Sequence, residues 1–298
     1  VRRSLRRALA LSGCVALAAT SLSCSTLVDV DEYAFDESPC GPRPPACEPG
    51  GAERVYAIQW VDIPRLDSEG RRDGFDLDGT EDAICNARDF VAPDGRRGID
   101  QQMAGLLEVL ENASGQNTRV DSGAAAARGE DVGLIVISGL DDEENDPCVE
   151  VTQRSAYLPA GTTVESLDRE RDNLLDENVT FDYGTARERD PVACIVDGTL
   201  YARFPPTTRV SPVGGGEVTA YRGRMRMGIA GEGAQSGLFG GSLHVDELPM
   251  IDETALRVLR QAADLEPSAR GVSDCQGISF ALIMQAVPAR LGALRSTP

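Results

Sequence analysis

From residue 54 onward the apolar positions recur mostly with a period of two, or in short unbroken runs between clusters of Gly, Pro and Asp. RVYAIQWVDI, rich in β-branched and aromatic residues, predicts a strand, and VGLIVISGL predicts a buried one. CVEVTQRSAYLP, NVTFDYG, ACIVDGTLYARF, GEVTAYRGRMRMGIA and SGLFGGSLHV continue the pattern, and QGISFALIMQAVP predicts a closing strand. Two segments carry helical spacing instead. Ile99, Met103, Leu106, Leu107 and Leu110 place GIDQQMAGLLEVLEN on an amphipathic helix, and Ala255, Val258, Leu259 and Ala262 predict a second over residues 252–265. Many short strands with two accessory helices predict a mainly β fold, a β-sandwich or jelly-roll-like domain, with α+β as the alternative.

The first apolar run has a different character. Arg2, Arg3, Arg6 and Arg7 precede an uncharged stretch, Ala8 to Leu22, and small residues then precede Cys24. That order predicts an export signal over residues 1–23 with lipidation at Cys24. Cys14 has a good box before it, but an apolar stretch too short for a signal. Ser25 after the cysteine leans toward the outer membrane. Residues 24–53, acidic and then rich in Pro and Gly, predict a tether, and residues 54–298 a single domain.

Cysteine parity supports this division. The chain has eight cysteines, and lipidation at Cys24 after loss of Cys14 leaves an even set: Cys40, Cys47, Cys85, Cys148, Cys194 and Cys275. Cys40 and Cys47 bracket GPRPPA and predict a small local disulfide loop. The other four predict two bridges within the body, their pairing open. With no C-x-x-C spacing, zinc is not indicated.

Charge narrows the chemistry. Loss of the four leader arginines takes the net charge from −19 to −23, which disfavours nucleic acid as a partner. No lysine is present, so lysine Schiff-base and P-loop chemistry are excluded. The one histidine, His244, rules out a multi-histidine metal site. No G-x-S-x-G or H-E-x-x-H motif occurs.

Three clusters remain. Asp73, Asp76, Asp78, Glu81 and Asp82, with Asp94 and Asp100 further on, offer hard oxygen ligands around Gly79, so calcium is the candidate ion. The EF-hand register fails, because Gly74 and Cys85 would occupy the first and twelfth positions. The plain alternative is a solvated acidic turn, with Asp100 capping the following helix. Asp141, Asp142, Glu143, Glu144 and Asp146 form a second acidic tip. Arg222, Arg224 and Arg226 fall on one face of a strand and Tyr221, Met225, Met227 and Ile229 on the other. The arginine row predicts either a platform for an anionic ligand or pairing with the chain's own acids.

GFDLDG, a cysteine, DFVAPDGRRGIDQQ and a helix, with SGLFGGSLHV and DCQGISFALIMQAVPARLG, resemble a group of secreted lipoproteins of myxobacterial type over residues 54–294. The resemblance implies an extracytoplasmic, lipid-anchored protein and brings no catalytic residues. The expected function is a non-enzymatic binding or structural module at the cell envelope, calcium-dependent through the acidic loop, facing glycans or another envelope protein. The alternative is a carboxylate-dependent glycan hydrolase on a β-sandwich.

Overall fold

The computed structural model describes residues 39–40, 51–79, 85, 89–130, 132–185, 188–204, 207–210, 218–247, 259–261, 263 and 275–295. Cys24, Cys47, Glu81, Asp82 and most of the 252–265 segment lie outside the described residues.

Among the described residues there are ten strands: β1 (Ala52–Asp62), β2 (Gly133–Leu140), β3 (Asp146–Tyr157), β4 (Val179–Tyr183), β5 (Glu188–Val196), β6 (Thr199–Arg203), β7 (Thr207–Val210), β8 (Val218–Gly228), β9 (Gln235–His244) and β10 (Gly277–Leu294). Eight of them close on themselves in the order β1-β2-β3-β5-β6-β8-β9-β10, and β10 returns to β1. Every pairing in this ring is antiparallel. The fold is therefore mainly β, but it is one barrel and not two facing sheets. The sandwich expectation failed because alternation marks a strand with one buried face, whichever way the sheet curves. Only the β1–β10 register closes the ring. β4 adds in parallel to the end of β10, and β7 adds to β8.

The barrel interior is filled by side chains. Tyr56, Ile137, Val149, Ile195, Leu200, Met225, Met227 and Met284 belong to one buried cluster drawn from seven of the ring strands. Phe204, Phe239 and Phe280 run on toward one end with ring centroids 6.0 Å apart. A membrane-spanning barrel turns its apolar band outward and its polar residues to the lumen. This barrel has the reverse pattern: the lumen is apolar, while Glu150 and Arg189 pair on the outside of the wall.

Helix α1 (Gln102–Ser114) brings Met103, Leu106 and Leu107 against Leu243, Ile278 and Phe280, which lie on the inward face of β9 and β10, so α1 covers one end of the barrel. Other elements cover the outside of the wall. Helix α2 (Thr118–Ala127), capped by the Asn117 side chain accepting from the Val120 N–H at 3.0 Å, packs with Leu167, Leu175 and Phe181 over Ala57, Leu134 and Val287. The segment between β1 and α1 lays Phe75 and Leu77 over Leu238 and Ala281. Gly240 permits this close approach, since a Cβ there would lie 2.6 Å from the Phe280 carbonyl oxygen and 2.9 Å from the Phe75 ring.

Disulfides join Cys40 to Cys194 and Cys85 to Cys275, and Cys148 is also disulfide-bonded. The local Cys40–Cys47 loop is corrected accordingly. Cys194 stands opposite Tyr201, which stands opposite Arg226, on the outward side of the wall. It is therefore open to a cysteine arriving from the N-terminal segment. Of the two bridges expected within the body, Cys85–Cys275 is one; Cys194 is taken by Cys40.

Candidate cation-binding loop and arginine row

The covering loop is built from turns that its own aspartates organise. The Asp67 carboxylate accepts from the Glu69 and Arg71 N–H groups at 2.8 and 2.9 Å. Arg72 is buried, donates to Glu108 at 2.8 Å and lies 5.1 Å from the Phe90 ring centroid. Phe75 then pairs with Asp100 in an antiparallel bridge, through the Asp100 N–H donating to the Phe75 carbonyl at 2.9 Å. The bridge brings two distant stretches of acids together.

Asp76, Asp78 and Asp100 each place a carboxylate oxygen within 4.8 Å of the others. Asp100 is 2% exposed, and its Oδ2 accepts from the Leu77 N–H at 2.6 Å and the Asp78 N–H at 3.3 Å. The Asp76 Oδ1 accepts from the Gly79 N–H at 2.5 Å. Hard oxygens at this spacing are the donor set a calcium ion takes. The N-cap position of α1 does not fall on Asp100. The N-cap of α1 is Gln101, which makes no side-chain cap bond. The Gln101 amide instead donates to the Ala281 carbonyl and accepts from the Ala281 N–H, both at 2.8 Å, on the stretch of β10 beyond its register with β1.

Asp73 lies elsewhere. It forms an ion pair with Arg226 and lies 3.7 Å from Arg96. Asp94 contacts Arg96 at 2.8 Å and Arg226 at 4.0 Å. Burial pushes the Asp94 carboxyl up, but the Arg96 side chain and backbone N–H outweigh it and hold the group below its ordinary range. Arg222 donates to the Leu77 carbonyl at 2.9 Å. Two clusters that sequence reading kept separate, the acidic loop and the arginine row, thus face each other. A ligand for the row would have to displace Asp73. Arg224 stands directly opposite Arg203 on β6.

The remaining candidates are structural in their contacts. Asp146 is buried and accepts from the Asp141 and Cys148 N–H groups at 2.8 and 2.9 Å, so it shapes the acidic tip. Glu143 pairs with Arg54. The His244 Nδ1 accepts from the Asp246 N–H at 3.2 Å, and Asp246 pairs with Arg260 at 2.7 Å. The sequence reading passed over one organised turn. Asp168 accepts from the Asp172 and Asn173 N–H groups, both at 3.0 Å, and Asn173 takes φ +64°. The D-x-x-x-D-N spacing was its only signal.

The fold and site define a packed, disulfide-fastened, eight-stranded antiparallel barrel with an acidic covering loop. The chain matches no protein-family model, no curated protein and no solved structure.

Proposed function

We propose that this chain is an exported protein held at the cell envelope, outer membrane favoured, by acylation of Cys24. It acts there as a non-enzymatic binding or structural module, facing glycans or another envelope protein, with calcium bound by the covering loop. The observation that carries the calcium reading is the convergence of Asp76, Asp78 and Asp100 within 4.8 Å, with Asp100 almost fully buried. Three clustered carboxylates repel one another, and a divalent ion relieves that repulsion while satisfying several oxygens at once. The apolar filling of the barrel supports a module whose binding surface lies outside the wall.

The test is thermal melting of the protein against calcium from about 10 µM to about 10 mM, the range of weak extracellular sites, with EDTA as control. A saturable rise in Tm that the Asp76→Asn, Asp78→Asn double variant removes is expected. An unchanged Tm across the titration overturns the calcium reading.

A further inference from the structure

We propose that the β3–β5–β6 side of the barrel wall is turned toward the lipid surface, and the covering loop with its carboxylate trio away from it. This placement rests on the acylation of Cys24 proposed above. The Cys40–Cys194 bridge fixes where the N-terminal segment leaves the barrel: on the outer face of β5 and not at the start of β1. Sixteen residues separate Cys24 from Cys40, against twenty-eight from Cys24 to Ala52. At full extension these span about 56 Å and about 98 Å, so the bridge nearly halves the longest possible leash.

In the ring of eight strands, β10 is four places from β5 and therefore diametrically opposite it. Gln101, next to Asp100, is clamped to Ala281 on β10, and Phe75 and Leu77 pack on β9 and β10. Eight tilted strands make a barrel about 15 Å across, and a covering layer adds about 10 Å. To turn the attachment side away from the membrane, the leash would have to pass around that girth, which uses up much of its length. The short leash therefore favours the attachment side facing the lipid.

The test uses the full chain expressed with its leader and recovered in membranes. p-Azidophenylalanine replaces exposed Arg189 on β5 in one sample and exposed Glu69 on the covering loop in another, and each is coupled to a dye by azide chemistry that leaves the disulfides intact. Energy transfer to acceptor lipids in vesicles is read alongside the mass of the N-terminal peptide. The expected result is an acylated Cys24 and at least twofold greater transfer from the Arg189 position. An acylated chain with equal transfer, or with more from the Glu69 position, overturns the orientation alone. A peptide without an acyl mass at Cys24 overturns the anchoring reading and the orientation with it.

Discussion

Gln101 holds a position that no propensity scale would mark. It is fully buried, and its amide stands in for a neighbouring strand by satisfying both backbone groups of Ala281. Replacing it with Leu keeps the volume and leaves a buried N–H and a buried C=O unpaired. The Gln101→Leu variant should lose about 2–4 kcal/mol, from two unsatisfied groups, read as a lower urea midpoint at unchanged m-value. Sequence alone gave the residue types near the candidate site but not their partners. Asp76, Asp78 and Asp100 were visible as acids. That Asp100 folds back under Leu77 depends on the Phe75–Asp100 bridge, a tertiary contact. Arg222 likewise read as one of three equivalent arginines. The register with β9 slips between Tyr221 and Arg224, and Arg222 takes φ +55° there, so the strict alternation holds only from Arg224 toward the end of the strand.

Among the elements, strands were far more legible than their connections. Val196-Asp197-Gly198-Thr199 sits inside what read as one strand signal, yet Asp197 and Gly198 both take positive φ and turn the chain between β5 and β6. Asp-Gly is the usual sequence of such a two-residue hairpin, so this turn is legible in the sequence. Helix α2 was harder to see. GAAAA has little apolar contrast, and the helix owes its place to packing over β1 and β2. The parallel contact of β4 with the end of β10 carries a pH signature. The Ala293 N–H and the Arg295 guanidinium hold the Asp182 carboxyl below its ordinary range. A carboxyl depressed in the folded state contributes stability above its unfolded pKa, near 4, and that contribution fades as pH falls through the lower folded value. Denaturant midpoints measured from pH 7 to pH 2 should therefore fall at the acid end, and Asp182→Asn should flatten part of that fall.

Two of the bridges, both between described residues, fasten the barrel across long stretches of chain. Cys40–Cys194 spans 154 residues and Cys85–Cys275 spans 190. In the chain-entropy account each removes about 5 kcal/mol of freedom from the unfolded state. A Cys85→Ser, Cys275→Ser double variant should be less stable by up to that amount, measured by guanidinium unfolding, and peptide mapping without reductant should recover both pairs. The closure of the barrel by its last strand also has a consequence for the order of folding. β10 touches both β1 and β9, so until it has been synthesised each of those strands has a bare edge open to pairing with another chain. Contacts this distant in sequence form slowly. A nascent or truncated chain ending before Gly277 cannot close, and it is the species in which self-association through strand edges should concentrate. The protein's exposure to aggregation is therefore set by how long β1 and β9 must wait for β10.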